Sequence, residues 1–187
     1  EHLGYDTVKA LDGYFRSYGM EMFDVERVPL KGGSLRGVVQ LAGGPQKISD
    51  SVKELINFEA DLGVDRPEFF KAFTGRLEKA KAGLNEFISD LQAKGKTVAG
   101  YGASVGSTTM IYYFGLGDTL SFLADDDPRN QNLFTPGHHI PVLASQAIYD
   151  RNPDYVLILA WRYAEPIIGK HQKFLDQGGH FIVPMPE

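Results

Sequence analysis

The fold is decided by the stretch TVAGYGASVGST, which occupies residues 97–108. A short apolar run from Thr97 to Gly100 leads into a glycine-rich turn, and small and hydroxyl side chains follow it. This order predicts a strand, a tight turn and then a helix whose N-terminus faces the turn. Free N–H groups and the positive end of the helix dipole would suit a phosphate or pyrophosphate there.

The turn does not match the strict glycine fingerprint of dinucleotide-binding folds. The third glycine of that fingerprint would fall at Val105, and Gly106 comes one residue late. A nicotinamide-dependent oxidoreductase is therefore only a weak alternative. The candidate ligand-binding residues of the turn and the helix start are Gly100, Gly102, Ser104, Ser107 and Thr108.

Beyond the turn, short apolar runs alternate with helical stretches. This alternation predicts a parallel sheet with right-handed crossovers. We expect an α/β fold, with a Rossmann-like parallel sheet and flanking helices over residues 96–187. The predicted strands are 97–100, 120–124, 140–143, 155–159 and 180–183.

The residues before this domain predict smaller elements. A short amphipathic helix over 7–17, capped by Asp6, precedes a hairpin with strands at 20–29 and 35–41. Helical patterns follow at 44–63 and from Pro67 to Gly95, so the chain divides into 1–43, a helical connector over 44–95 and the domain 96–187. The long helix either packs on its own domain or forms a dimer seam.

Two loops after predicted strands carry further polar side chains. Asp125 opens an acidic run that could bind a ribose hydroxyl or could simply be a solvated turn before Pro128. Loop 130–141 supplies Asn132, Thr135 and His139 as candidate ligand-binding residues. Residues 161–163 (Trp-Arg-Tyr) could line the same cleft or form an ordinary aromatic edge.

A metal site at the adjacent His138 and His139 is the sharper alternative for loop 130–141. Adjacent histidines point in different directions and no third ligand lies nearby in sequence, so we expect no metal. His171 and His180 are interpreted as surface or packing residues.

Composition excludes several classes of protein. The 187 residues are 43% hydrophobic and 23% charged, which excludes long disorder. The net charge of −5 and the lack of a basic run argue against a nucleic-acid partner. No apolar stretch suits a membrane span and no secretory leader is present, so we expect a cytoplasmic protein with no membrane partner. The chain contains no Cys, which excludes disulfides and thiolate metal sites within it.

Several motifs in order resemble one family across essentially the whole chain. They are GYGAS, TTMIYYFGLG, ADDDPRNQNLFTPGHHIPV, PDYVLILAW and GGHFIVPMPE. Together they resemble the C-terminal domain of the sugar C-methyltransferases, which build branched deoxysugars from nucleotide-linked ketosugars. GGSLRG at 32–37 resembles part of the preceding S-adenosylmethionine-binding domain, and the resemblance makes residues 1–43 the tail of that domain.

The resemblance also implies catalytic residues. The family carries its proposed general base in a His-Glu-His-x-x-Tyr segment, and residues 1–5 (Glu-His-Leu-Gly-Tyr) match all of it but the first residue. His2 would be the base that removes a proton next to a sugar ketone, and the resulting enolate carbon would attack the sulfonium methyl group. Glu1 would orient His2 or stabilise its cation, and Tyr5 completes the motif.

The chain also departs from the family pattern. The family has an N-terminal zinc domain and a glycine-rich methyl-donor site, and neither is found in this sequence. Since the chain starts at Glu1 without an initiator Met, we expect the back half of a larger enzyme, inactive alone and without affinity for S-adenosylmethionine. Many relatives carry a Lys in the GYGA loop where residues 105–107 here read Val-Gly-Ser. A nucleotide-binding or regulatory module without catalytic function is the alternative.

Overall fold

The computed structural model describes residues 4–29 and 33–185. Within them the chain forms two compact units, which divide between Arg76 and Leu77. The predicted divisions at 43 and 95 stay predictions. No helix in the described ranges is long and apolar enough to cross a membrane.

The first unit is built on a hairpin covered by helices. Met22 and Val25 on the first strand are buried against Val8 and Val52 of the two helices. The main chain N–H groups of Val8 and Lys9 donate to the Glu59 carboxylate at 2.6 and 3.0 Å. The elements are α1 (Val8–Ser17), β1 (Met20–Val28), β2 (Ser34–Leu41), which pairs antiparallel with β1, and α2 (Asp50–Leu62).

The predicted cap of α1 was wrong by one residue. Thr7, and not Asp6, caps the helix, because its hydroxyl accepts a hydrogen bond from the Ala10 N–H at 3.2 Å. Both residue types are good N-caps, and sequence alone does not choose between neighbours. Gly19 follows the helix with φ +70°, the left-handed conformation in which helices commonly end.

The long helix α3 (Pro67–Ala93) starts at the predicted proline and runs across the boundary between the units. Leu84, Ile88 and Leu91 near its end are buried in the second unit. Phe70 and Phe73 in its first half are 55% and 45% exposed. The choice between connector and dimer seam stays open.

The second unit is the predicted α/β domain, and its Rossmann-like architecture is confirmed. Its six-stranded sheet is parallel except for one edge strand, in the order β5-β6-β4-β3-β7-β8. The elements are β3 (Val98–Tyr101), α4 (Val105–Phe114), β4 (Leu123–Asp125), β5 (Leu133–Phe134), β6 (Pro141–Ala144), α5 (Ala147–Arg151), β7 (Tyr155–Ile158), α6 (Ala164–Lys170), α7 (Gln172–Asp176) and β8 (His180–Ile182).

The two faces of this sheet bury separate cores. Along β7, Leu157 belongs to the core with α3 and α4, and Val156 and Ile158 belong to the core with α5, α6 and α7. This alternation is the period of two that a strand buried on both faces requires. Because β3, β4, β6 and β7 run parallel, their carboxyl ends lie at one edge of the sheet, with helices on both sides.

Candidate functional site

The turn after β3 requires a glycine at position 102. Gly102 has φ +101°, and a Cβ built there would lie 2.8 Å from the Ala160 Cβ. Its N–H donates to the Ala124 carbonyl at 2.8 Å. The turn thus lies tightly against the chain that follows β7, as predicted for a loop at the carboxyl edge of a parallel sheet.

Gly100 has a different place from Gly102. It lies within β3, where an added Cβ would be 2.4 Å from the Leu123 side chain. Its N–H donates to the Phe122 carbonyl at 2.9 Å. The structure gives Gly100 a packing role, and its predicted contact with a ligand stays a prediction.

Helix α4 begins at the turn and carries the predicted hydroxyl groups. Ser104 is the N-cap, and its Oγ accepts from the Ser107 N–H at 3.3 Å and lies 3.2 Å from the Ser107 Oγ. The N–H groups at the start of any α-helix have no partner within the helix. The start of α4 can therefore bind an anion with backbone N–H groups and hydroxyls.

Asp125, at the end of β4, holds the turn in place. Its two carboxylate oxygens accept the main chain N–H groups of Ala103 at 2.6 Å and Asp127 at 2.7 Å. The residue is 8% exposed. The carboxylate thus ties two loops together, and its predicted contact with a ribose hydroxyl stays a prediction.

A cleft of about 190 Å³ lies next to the start of α4. Apolar side chains form much of its wall, and Asn130, Thr135, Ser107 and Thr108 contribute polar groups. This mixture is typical of small-molecule sites, where a few polar groups orient a ligand against apolar walls. The full lining is Ala103, Ser107, Thr108, Leu123, Asn130, Leu133, Phe134, Thr135, Pro136 and Val142.

The structure brings only part of loop 130–141 to the cleft. Thr135 lines it, and the Thr135 hydroxyl accepts the Ile140 N–H at 3.0 Å. Asn132 and His139 are exposed, have φ of 62° and 53°, and are not part of the lining. Positive φ is uncommon for residues other than glycine, so both residues occupy a left-handed backbone conformation that few side chains adopt.

The adjacent histidines do not belong to a metal-binding cluster of the described residues. The His138 ring packs on Tyr112 with centroids 4.6 Å apart and lies close over Gly117. Within residues 4–29 and 33–185, no three His, Asp or Glu side chains are arranged to hold a metal ion.

The predicted catalytic residues Glu1 and His2 lie outside the described residues. Tyr5 is 90% exposed and lines an open concavity of about 560 Å³ in the first unit, with Asp6, Leu11 and Arg27 among its walls. Residues 1–3 and 30–32 adjoin these walls in sequence and are not described. The candidate ligand site is therefore the cleft of the second unit.

Sequence analysis missed a hydrogen-bonded group on the other face of the sheet. His171, interpreted above as a surface or packing residue, is 3% exposed and lies between two tyrosines. Its Nε2 is 3.0 Å from the Tyr101 hydroxyl and its Nδ1 is 2.9 Å from the Tyr149 hydroxyl. Tyr101 donates to Asp126 at 2.8 Å. The four residues are far apart in sequence, and no spacing could have indicated their contact.

Comparison with known proteins shows the family of the chain. Residues 29–186 match the model of a family described as the C-methyltransferase C-terminal domain. The chain belongs to this family. It is also 34% identical, over its whole length, to the C-methyltransferase NovU of Streptomyces niveus. The chain covers 45% of that relative's length, so more than half of the relative lies outside the match.

Proposed function

We propose that this C-methyltransferase C-terminal domain binds the nucleotide part of a nucleotide-linked ketosugar. In the complete protein, a carbon next to the ketone would receive the methyl group. The observation that carries the proposal is the cleft beside the start of α4, because the Ser107 and Thr108 side chains line it and the first N–H groups of the helix, on Val105 and Gly106, precede them directly. Membership of the family supports the reaction class.

The proposed ligand has two parts with different chemical needs. The pyrophosphate would lie against the loop 102–106, where the backbone N–H groups of residues 104–106 and the Ser104, Ser107 and Thr108 hydroxyls can donate hydrogen bonds. The nucleoside would lie against residues 130–139, with Thr135 in the cleft and Asn132 and His139 on its outer side. The cation that many relatives supply in this loop is missing here, so neutral donors would carry the affinity.

S-Adenosylmethionine is the methyl donor that the family implies, and the described part of the second unit offers no free acidic side chain at the end of β4 for the ribose of that donor. The acidic residue at the end of β4, Asp125, has both carboxylate oxygens engaged by main chain N–H groups. We therefore propose that the donor binds to another domain of the complete protein and that this chain alone neither binds it nor turns over substrate.

The proposed base is His2, and Glu1 and Tyr5 are the proposed residues that assist it. A neutral imidazole has an ordinary pKa near ~6.5 and can accept the proton from the carbon next to the ketone. The electron pair then lies on that carbon and the ketone oxygen, and the carbon is the nucleophile for methyl transfer. The nucleotide part of the substrate would be held by the second unit.

Substitution of His2 in the complete protein tests the catalytic part of this proposal. We expect His2→Asn to lower turnover by about 10² to 10⁴, the usual contribution of a positioned acid or base, and to leave nucleotide-sugar binding unchanged. The matched control is His180→Asn, an exposed histidine on β8, which should change neither. Unchanged turnover in His2→Asn would favour the alternative of a non-catalytic nucleotide-binding module.

A further inference from the structure

The buried His171 group forms a chain of hydrogen bonds with one direction. It runs from Tyr149 through His171 and Tyr101 to Asp126, and we call it the Tyr149–Asp126 chain. Asp126 is a carboxylate and only accepts, so the single hydroxyl hydrogen of Tyr101 goes to Asp126. The Tyr101 oxygen must then accept from His171 Nε2–H, and His171 Nδ1 accepts the Tyr149 hydroxyl. This assignment of the tautomer follows from the bonding pattern.

The charges around the Tyr149–Asp126 chain favour these hydrogen-bond directions. Burial alone would raise the pKa of Asp126, but hydrogen bonds from Lys170, Ser145 and Tyr101 outweigh burial and lower the pKa to about 2. Burial and the hydrogen bond to Asp126 hold the pKa of Tyr101 above its usual range. Asp126 is thus an acceptor and Tyr101 a donor at every ordinary pH.

His171 is kept neutral by its surroundings. Burial is the main cause that lowers its pKa, the adjacent Lys170 lowers it further, and Asp126 opposes both. The groups that face it are Tyr101 from β3, Asp126 after β4, Tyr149 from α5 and Lys170 from α6. Lys173 of α7 lies over the Tyr149 ring at 5.6 Å and adds a second cation nearby.

The Tyr149–Asp126 chain is connected to the candidate ligand site through the backbone at two points. Tyr101 is the last residue of β3 and precedes Gly102 of the turn. Asp126 follows Asp125, whose carboxylate holds the Ala103 N–H at 2.6 Å. Asp125 thus contacts the turn on one face of the sheet, and Asp126 contacts the buried histidine on the other face through the Tyr101 hydroxyl.

We infer that Tyr101, His171 and Asp126 are positioning residues that hold the 125–127 segment and, through Asp125, the 102–106 loop in the geometry that binds a nucleotide. The inference rests on the proposed function of the loop. When the Tyr149–Asp126 chain is intact and His171 is neutral, the loop binds the nucleotide tightly. Protonation of His171 removes the Nδ1 acceptor, forces the Tyr149 hydroxyl to turn and brings a third cation beside Lys170 and Lys173. Affinity is therefore full at neutral pH and is lost as the pH falls through the lowered pKa of His171.

The test compares matched hydroxyl deletions in the complete protein. The probe is whichever of UDP, dTDP, CDP, ADP and GDP binds the unsubstituted protein most tightly by calorimetry. Tyr101→Phe should weaken its binding about tenfold at pH 7.5, since it breaks a hydrogen bond to a charged group. Tyr113→Phe removes a hydroxyl that donates to the exposed Glu78, and it should have no effect.

A second variant separates positioning from simple stability. His171→Gln keeps an N–H donor that can face Tyr101 but does not titrate. Its affinity should stay close to that of the unsubstituted protein at pH 7.5 and should fall less steeply between pH 7.5 and 5.5. The titration of the probe's own phosphate is common to both proteins and cancels in the comparison.

Amide hydrogen exchange at Ala103 measures, without a ligand, how firmly Asp125 holds the 102–106 loop. Relative to the Leu157 amide in the sheet, Ala103 should exchange faster in Tyr101→Phe, and also in the unsubstituted protein as the pH is lowered after correction for intrinsic rates. If no probe binds the unsubstituted protein, the proposed function fails, and Ala103 exchange alone decides the positioning. If Tyr101→Phe does not fold, the inference is decided by the pH dependence of affinity in His171→Gln and by the pH dependence of Ala103 exchange in the unsubstituted protein. Affinity and Ala103 exchange in Tyr101→Phe that equal those of Tyr113→Phe would overturn the inference.

Discussion

Gly102 is the residue whose backbone sets the position of the candidate loop. Its φ of +101° disfavours any side chain, and a Cβ would meet the Ala160 Cβ at 2.8 Å and the Ala160 N at 3.1 Å. We expect Gly102→Ala to lower the free energy of unfolding by about 1–3 kcal/mol, through backbone strain and the displacement of the turn. Nucleotide affinity should fall with it. Chemical denaturation and calorimetric titration measure the two effects.

Gly106, four residues later, supplies the matched control. Its φ is not positive, and the nearest atom to an added Cβ is the Ser104 Oγ at 3.6 Å. Gly106→Ala lies in the first turn of α4, where Ala is the better helix former, so stability should be unchanged or slightly higher. Equal destabilisation by both substitutions would show that the turn geometry is not specific to Gly102.

Ligand binding by Gly102, Ser104 and the hydroxyls after them stays a prediction, but sequence reasoning correctly placed the turn at Gly102 and the helix start at Ser104, because a strand, a turn and a helix start follow one another within a dozen residues. It missed the environment of His171, because that environment is made by Tyr101, Asp126 and Tyr149 from three other elements. A buried imidazole can only be recognised when the groups that satisfy its two nitrogens are known.

At the scale of elements, the start of α4 is the part that a phosphate would contact. Ser104→Ala removes the acceptor of the Ser107 N–H and should cost about 1 kcal/mol of stability. If Ser104 also donates to the ligand, the same substitution should weaken nucleoside diphosphate binding by about fivefold or more.

The cap of α2 gives the control for Ser104→Ala. Ser49 accepts the Ser51 N–H in the same way, but it lies in the first unit. Ser49→Ala should therefore lower stability comparably and leave nucleotide affinity unchanged. Thermal unfolding and calorimetry on both variants decide the matter. Equal affinities for the two variants would remove Ser104 from the proposed site.

The predicted elements were confirmed where an apolar period was long or flanked by strong end signals. Helix α3 starts at Pro67 as expected, and five predicted strands of the sheet are present with shifts of up to three residues at their ends. Strand β5 was missed because it is two residues long, is exposed on both Leu133 and Phe134, and pairs antiparallel at the sheet edge. So short an exposed segment has no period to detect.

At the scale of the whole molecule, the chain combines a helix-covered hairpin with an α/β unit, and it covers 45% of NovU. Sequence motifs sufficed to predict the family, because several of them occur in order across the chain, and the family match confirms it. The arrangement of base, sugar and methyl donor depends on residues beyond the described part. It therefore remains a proposal tested with the complete protein.

Nucleotide binding is measured by calorimetric titration of this chain with UDP, dTDP, CDP, ADP and GDP, and with S-adenosylmethionine, at one salt concentration. We expect saturable binding of at least one nucleoside diphosphate, weakened by Ser104→Ala and unaffected by Ser49→Ala, with no binding of S-adenosylmethionine. Binding of S-adenosylmethionine with no nucleoside diphosphate bound would contradict the claim that this domain holds the nucleotide of the substrate.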